Sequence, residues 1–368
     1  TKRIIYCNRA DMRLFDDIAH YGSLAIVGLE KNTGKTETLN YILRHLDGCR
    51  RRIAITSIGI DGETVDAVTR TQKPEITIYP DMIFTTVEQF FLQKHFVAEI
   101  LDISKEHTVL GRLVTARALT RGKVLLTGAA DTFTLSKNIV NNRRLGVDLT
   151  IVDGALSRLS LASPAVTDAM ILATGAAFSS NIETLVRKTA FVCKLIELPL
   201  FTIDGITFDD EGKRLPLDTD TELRGVFCLA DGHLEDLGVE SALSIGNIDN
   251  DKVELIKRQK VIFVYGILSN RVIDFLIENG AAKGCTIVVK DFSTIFVTDD
   301  RYALFVRIGG SIVVLRKTRL VALTVNPTSP QGIVLNSEVL CQRLEEATGV
   351  RVVDVRRQKP SISPCAEK

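Results

Sequence analysis

The amino-acid sequence predicts an α/β protein in which a mostly parallel sheet is covered by helices and is followed by a second α/β domain. Short apolar runs alternate along the chain with segments whose apolar residues recur at spacings of three and four. Continuous apolar runs are typical of parallel strands buried on both faces, and the longer spacing is typical of amphipathic helices. A chain of 368 residues is long enough for about two such domains.

The first predicted strand and helix enclose the sequence GLEKNTGKT, residues 28–36. Leu24–Val27 is an apolar run too short for a helix, and Leu39, Ile42 and Leu43 would share one helical face. A strand, a glycine-bearing loop and a helix in this order are the context of a phosphate-binding P-loop. Backbone N–H groups and the helix dipole favour an anion at such a site. The alternative is an ordinary glycine turn before a helix.

Each residue of the Gly-Lys-Thr sequence has an expected role. Gly34 lets the backbone approach phosphate oxygens, Lys35 would contact the β- and γ-phosphates, and the Thr36 hydroxyl would coordinate Mg²⁺. Lys31 is given a weaker role. The residues predicted to contact the nucleotide are Gly28, Lys31, Asn32, Thr33, Gly34, Lys35, Thr36 and Glu37.

The glycine spacing departs from the standard P-loop pattern. Leu29 stands where the first glycine is expected, and five residues separate Gly28 from Gly34. This longer spacing resembles that of dethiobiotin synthetase and its relatives. Lys31 lies near, but not at, the position of the second lysine in the deviant P-loops of that superfamily.

Further strands and a helix are predicted in the first half of the chain. The strands are Ile53–Ile60, Lys123–Ala129, Val147–Arg158 and Ala169–Ala177, and the helix runs from about Asn181 to Thr189. Ligands of parallel α/β sheets bind beyond the carboxyl ends of the strands. The residues at those ends are therefore the candidates for chemistry.

Two carboxylates follow predicted strands. Asp153 follows Leu149–Val152 in the form of a Walker B element, and Asp61 follows the second strand. Magnesium on a nucleotide prefers oxygen ligands from one or two carboxylates. Thr36, Asp61 and Asp153 are therefore the predicted metal ligands, and Lys35 and Asp153 the predicted catalytic residues. A turn or helix-cap role is the alternative for either aspartate.

A polar stretch, residues 204–225, interrupts the apolar pattern and predicts the domain boundary. The chain is divided into a nucleotide-binding domain, 1–205, and a C-terminal α/β domain, 206–368, for which partner recognition is expected. The predicted elements of the second domain are a strand and helix within Lys260–Gly280, a strand Cys285–Asp291, short β segments within 305–327, a helix Ser337–Ala347 and a final strand Val350–Arg357. The NPTSPQG segment, Asn326–Gly332, either turns the chain or lines a ligand or partner surface.

Composition narrows the function classes. The formal charge is +1, so nothing in the bulk charge indicates nucleic acid or an anionic membrane as a partner. No apolar run approaches the ~18 residues of a bilayer span. The seven cysteines are scattered, which favours reduced thiols over a zinc site and, with no secretory signal pattern, predicts a cytoplasmic protein. No Asn-Lys-x-Asp guanine signature occurs, so ATP is expected rather than GTP.

Four segments together resemble the P-loop subunits of lysine 5,6-aminomutase reactivases. They are VGLEKNTGKTETLNYIL, TSIGIDGE, TIVDGALSR and TVNPTSP. The resemblance covers most of the chain and implies ATP-driven exchange of damaged for intact cobalamin on an adenosylcobalamin- and pyridoxal-phosphate-dependent aminomutase of lysine fermentation. It also implies a second ATPase subunit as partner, and it assigns Lys35, Thr36 and Asp153 as nucleotide and Mg²⁺ ligands.

Two other functions fit the same motif. One is an ATP-dependent ligase of the dethiobiotin-synthetase type, which phosphorylates a carboxylate or carbamate on a small substrate. Its second substrate would need cationic groups, which Lys137, Arg143 and Arg144 could supply unless they form a solvated helix face. The other is a nucleotide-binding regulatory module with negligible turnover.

Overall fold

The computed structural model describes residues 9–58, 75–108, 110–129, 131–155, 166–203, 206–207 and 224–356. The α-helices within these residues are α1 (Arg9–Ile18), α2 (Lys35–Leu46), α3 (Glu88–Gln93), α4 (Thr132–Arg144), α5 (Ile182–Ile196), α6 (Asn250–Gln259), α7 (Asn270–Glu278), α8 (Asp299–Ile308) and α9 (Ser337–Thr348). Short 3₁₀ helices occupy Ala242–Asn247 and Phe292–Thr294.

The strands of the first half are β1 (Ser23–Gly28), β2 (Ile53–Ser57), β3 (Ile76–Ile78), β4 (Ile83–Val87), β5 (Ala98–Thr108), β6 (Gly111–Ala118), β7 (Gly122–Val124), β8 (Leu149–Ala155) and β9 (Ala169–Gly175). Those that follow are β10 (Thr202–Ile203), β11 (Ile206–Thr207), β12 (Gly225–Ala230), β13 (His233–Asp236), β14 (Val261–Tyr265), β15 (Leu268–Ser269), β16 (Thr286–Val289), β17 (Ile295–Phe296), β18 (Ser311–Val314), β19 (Arg319–Asn326) and β20 (Val352–Asp354).

The chain forms two compact units, and the second is inserted into the first. Unit 1 comprises Thr1–Ala162, Val166–Ala190 and Leu320–Lys368, and unit 2 comprises Ser163–Ala165 and Phe191–Arg319. The predicted division at residues 205 and 206 therefore differs from the structure, because the chain returns to unit 1 at Leu320. The physical reason is the apolar strand β19, whose last five residues are all buried and which lies beside β9 in the sheet of unit 1.

Unit 1 is built on a nine-stranded sheet in the order β20-β19-β9-β1-β8-β2-β4-β6-β5. The pairs from β9 through β1, β8 and β2 to β4 are parallel, as is β19 with β20, whereas β6 pairs antiparallel with both β4 and β5. The prediction of a mixed α/β fold with a large, mostly parallel sheet is thus confirmed at that level of detail.

Helices pack on both faces of this sheet. On one face, Leu39 and Ile42 of α2 pack in one core with Ile26 of β1 and Ile151 of β8. On the other, α4 contributes to a core that contains the neighbouring residue of β8, Val152. Alternate residues of β8 thus enter opposite cores, which explains why the central strands have almost continuous apolar sequences.

Two local predictions are wrong. Within Lys123–Ala129 only the end of β7 is a strand, and it pairs antiparallel with β3 instead of joining the large sheet. The next residue, Leu125, is bound to the end of β4, because its carbonyl oxygen accepts a hydrogen bond of 2.8 Å from the Thr86 hydroxyl. Phe305–Ile308, predicted as β, forms the end of α8, where Phe305 is buried in the core of unit 2.

Unit 2 is a smaller α/β structure with a five-stranded sheet in the order β13-β12-β14-β16-β18. Its β14, β16 and β18 are parallel, and α6, α7 and α8 contribute to one large apolar core with them. Within the described parts of the chain, no helix combines the length and the apolar character of a membrane span.

We predict that a protein ending after residue 204 does not fold cooperatively. It lacks β19 and β20, so the buried side chains of β9 lose their neighbours at that side of the sheet. The control lacks residues 191–319 instead, with a flexible linker joining Ala190 to Leu320, and should keep a cooperative thermal transition by circular dichroism. A cooperative transition in the 1–204 protein, at the parent temperature, would contradict the return of the chain to unit 1.

Candidate functional site

The loop between β1 and α2 folds back over the end of the strand. The Leu29 N–H donates to the carbonyl oxygen of Ala173 in β9 at 2.9 Å, which anchors the start of the loop. Thr33 is fully buried, and its hydroxyl donates to the Glu30 carbonyl oxygen at 2.8 Å. A Cβ added at Gly28 would lie 2.5 Å from the Thr33 Oγ1 and 2.7 Å from the Lys35 Cγ. Only glycine therefore allows this close return of the loop.

Helix α2 begins without a side-chain cap. Its N-cap residue is Gly34, which has φ 99° and ψ 17°, in the left-handed region, and provides no side-chain acceptor. The Gly34 carbonyl accepts the first helical bond from the Thr38 N–H at 2.8 Å. The first-turn N–H groups thus receive no acceptor from the cap residue, and the positive end of the helix dipole is directed at the same place. This arrangement favours an anion.

Asp153 lies on the central strand beside β1. In the parallel register it is paired with Ile26 of β1 and Ser57 of β2. It lies two residues after Ile151 in β8, so its side chain lies on the same face of the sheet as Ile151, the face that carries α2. The strand continues to Ala155, so Asp153 lies within β8, after the apolar run Leu149–Val152 and two residues before the end of the strand.

The Asp153 carboxylate is incompletely satisfied. Its Oδ1 is buried and has no hydrogen-bond partner among the residues that the structure describes. Buried polar atoms almost always have partners, so an exception is characteristic of a functional group or of an atom that contacts a ligand, ion or water. Because the residue stands near the carboxyl end of a central strand, this oxygen is available at the edge where α/β sheets bind ligands.

Lys35 and Asp153 interact electrostatically. Burial raises the pKa of the Asp153 carboxyl above its ordinary value, and the positive charge of Lys35 opposes that rise. Burial lowers the pKa of the Lys35 ammonium, Asp153 opposes this decrease, and the nearby charge of Lys31 adds to it. Each group is therefore the counter-charge of the other in a place where water solvates neither fully.

The other predicted loop residues differ in their surroundings. Lys31 and Asn32 are exposed on the outside of the loop, and Asn32 has φ 61°. Thr36 is partly exposed in the first turn of α2. Glu37 is exposed, and its carboxylate lies 3.6 Å from the Arg356 guanidinium. Asp61 lies outside the described residues. The structure thus brings Gly28, Thr33, Gly34, Lys35 and Asp153 together; Thr36 adjoins them in sequence.

Two residues of β19 join this site, and the sequence had placed them in the other domain. A Cβ added at Gly34 would lie 2.8 Å from the Asn326 Cβ. The hydroxyls of Thr324 and Thr38 form a buried hydrogen bond of 2.8 Å. The available signal in the sequence was the NPTSPQG segment, Asn326–Gly332, for which a turn and a ligand or partner surface were the two interpretations.

The cationic groups considered for a ligase substrate are placed differently. Arg143 lies 3.5 Å from the Asp168 carboxylate, which also accepts the N–H groups of Gly22 and Ser23 at the start of β1. Arg143 is therefore at the amino end of the strand whose carboxyl end carries the Gly28–Thr36 loop. The Lys137 ammonium lies 4.2 Å from the ring centre of Phe133, on its own helix.

Within the described residues, no cluster of three or more histidine, cysteine, aspartate or glutamate side chains could hold a metal alone. Comparison with protein-family models, curated proteins and solved structures gave no significant match. The resemblance to aminomutase reactivases therefore remains a prediction from the sequence motifs.

We predict that the variant Lys35→Met/Asp153→Asn loses less stability than the single variant Lys35→Met. Removing one partner of a fully buried charge pair costs about 3–5 kcal/mol because the other charge stays uncompensated, and the partial exposure of Lys35 places this site at the low end. The single variant Lys35→Met should be less stable at neutral pH, because it leaves Asp153 without its counter-charge. Denaturant unfolding measures both.

The pH dependence of the single variant follows from the same pair. Removing Lys35 raises the pKa of Asp153 further above its value in the unfolded chain. Such a group contributes stability below its unfolded pKa and loses it as the pH rises through its folded pKa. The stability gap between single and double variants should therefore shrink on acidification. Equal stability at neutral pH would show that the two groups are not coupled.

Proposed function

We propose that the protein binds ATP with Mg²⁺ at the Gly28–Thr36 loop and hydrolyses it. The observation that carries this proposal is the convergence of an uncapped helix start, the partly buried Lys35 and the unpartnered oxygen of Asp153 at one end of β1. The triphosphate would accept hydrogen bonds from the N–H groups at the helix N-terminus, where Gly34 supplies no side-chain acceptor. Lys35 would then neutralise the phosphate charge that develops during transfer to water.

The residues present fit a magnesium ion. Mg²⁺ usually takes one or two carboxylates, phosphate oxygens and water rather than a full set of protein ligands. Asp153 and the Thr36 hydroxyl would hold it, with Asp61 as a further candidate, and the absence of a multi-residue metal cluster in the described residues is compatible with this mode. When bound, the ion would stabilise negative charge on the phosphate oxygens.

We further propose that hydrolysis serves a chaperone-like reactivase. The sequence resemblance supports this, with a cobalamin-dependent aminomutase and a second ATPase subunit as the protein partners. Unit 2 supports it independently: it has its own core and sheet but contributes none of the residues gathered at the phosphate loop. We assign it to partner recognition, in a cytoplasmic protein that uses ATP rather than GTP. A ligase is less well supported, because Arg143 lies at the opposite end of β1.

Substitution of Lys35 tests the nucleotide site. Lys35→Ala should weaken ATP–Mg²⁺ binding by at least about tenfold, because a charge-assisted phosphate contact contributes 1.4 kcal/mol or more. Hydrolysis should fall below detection. The matched variant Lys31→Ala removes an exposed lysine from the same loop and should cause a smaller loss. Isothermal titration calorimetry and phosphate release measure both. If Lys35→Ala binds and hydrolyses ATP like the parent, the proposed site is wrong.

Partner dependence tests the reactivase proposal separately. Basal hydrolysis should be slow and should rise when an inactivated cobalamin-dependent aminomutase is added, because the partner selects one conformation of the motor. Mutase activity should recover only with hydrolysable ATP and intact cobalamin. An active, undamaged aminomutase is the control. Binding of ATP without any response to the mutase would favour the regulatory module and reject the reactivase.

A further inference from the structure

Asn326 occupies the carboxyl end of β19, directly against the phosphate loop. A side chain at Gly34 would bring its Cβ within 2.8 Å of the Asn326 Cβ, 3.7 Å of its Cγ and 3.8 Å of its Cα. Carbon atoms in contact prefer about 3.5–4.0 Å. Gly34 therefore rests on Asn326 without space for one further carbon, at the residue where the loop becomes helix α2.

Asn326 is itself held on two sides. Its carbonyl oxygen accepts the Ala176 N–H at 2.9 Å, and its side-chain Oδ1 accepts the Thr328 N–H at 3.2 Å. A Cβ added at Gly175 would lie only 2.1 Å from that carbonyl oxygen. The residue is nearly fully buried. Asn326 is therefore a fixed support, and Gly34 must take its position from it.

A second contact fixes the next turn of the helix. The Thr38–Thr324 hydroxyl pair links α2 to the same strand, two residues before Asn326. The two contacts lie one helical turn apart on α2, so together they define both the position and the direction of its first turn. Lys35 and Thr36 lie between them.

We propose that Asn326 is a positioning residue for the phosphate loop, which it orients through its Cβ contact with Gly34. The inference rests on the proposed nucleotide site and extends it to a residue distant in sequence. The support should act on the phosphate part of the ligand, because Gly34 begins the turn whose N–H groups face the anion. A shift of about 1 Å in such groups is enough to lower affinity and turnover strongly.

A double-mutant cycle isolates the Cβ contact. Gly34→Ala should weaken tripolyphosphate–Mg²⁺ binding in the parent background through both a clash with Asn326 and an unfavourable φ. Asn326→Gly removes the clashing atom, whereas Asn326→Ala retains it, and the φ penalty is the same in every background. We expect Gly34→Ala to weaken binding about tenfold less in the Gly background than in the Ala background. Equal losses in the two backgrounds would overturn the proposal.

The variant Asn326→Ser separates positioning from direct base contact. It keeps the Cβ, adds no charge and has a hydroxyl oxygen as an acceptor for the Thr328 N–H, but it loses the amide N–H₂ donor. The ratio of ATP to GTP affinity should stay near the parent value, whatever the change in tripolyphosphate affinity. A changed ratio would show that Asn326 contacts the base, and would overturn its assignment as a positioning residue.

The variant Lys35→Ala distinguishes failure of this proposal from failure of the proposed function. If Lys35→Ala binds tripolyphosphate like the parent, the proposed nucleotide site is wrong. If Lys35→Ala weakens binding but the double-mutant cycle is additive, only the positioning role of Asn326 is wrong.

Discussion

The electrostatic interaction between Lys35 and Asp153 is the constraint on which the arrangement of the candidate site depends. Burial lowers the pKa of Lys35 and raises the pKa of Asp153, and each charge opposes the shift of the other. Removing either group would leave the charge of the other without its counter-charge. Their approach requires β1 and β8 to be adjacent and in parallel register, and it requires α2 to start directly after a loop that folds back over Gly28.

The candidate site includes a strand, β19, that follows the inserted unit 2 in the chain. The chain leaves unit 1 along α5 and returns along β19, so the strand that ends beside the Gly28–Thr36 loop is also the strand that follows unit 2. Thr324 and Asn326 on that strand contact α2 and Gly34. A change in the loop on ligand binding would therefore act directly on β19.

The spacing of apolar residues along the chain was sufficient to predict the central strands and the first helix of unit 1. The strand before the loop, the helix after it, and the strands β8 and β9 follow from apolar runs of characteristic length and spacing. The antiparallel strands β5 and β6 were not predicted, because β5 is a partly exposed edge with irregular register and alternates polar and apolar residues weakly. The apolar run after Lys123 was predicted as a strand of the large sheet, whereas its first residues pair with β3. The spacing of apolar residues does not show which strand a segment pairs with.

Part of the candidate site was likewise predictable from the sequence, and part was not. Gly34, Lys35 and Thr36 belong to one short motif, and Asp153 follows an apolar run, so sequence was sufficient to find them. The contribution of β19 depends on contacts such as the Thr38–Thr324 bond, which spans 286 residues and an inserted unit. No local signal reports such a contact. The unpartnered state of the Asp153 Oδ1 is likewise a property of the packed structure.

A crystal structure with a non-hydrolysable ATP analogue and Mg²⁺ tests the central claim most directly, because it locates the phosphates and the ion together. The triphosphate should lie on the N–H groups at the start of α2 and contact Lys35, with the ion held by the Thr36 hydroxyl and the Asp153 carboxylate, directly or through one water. A nucleotide bound elsewhere, or bound here with Asp153 turned away from both ion and Lys35, would contradict it.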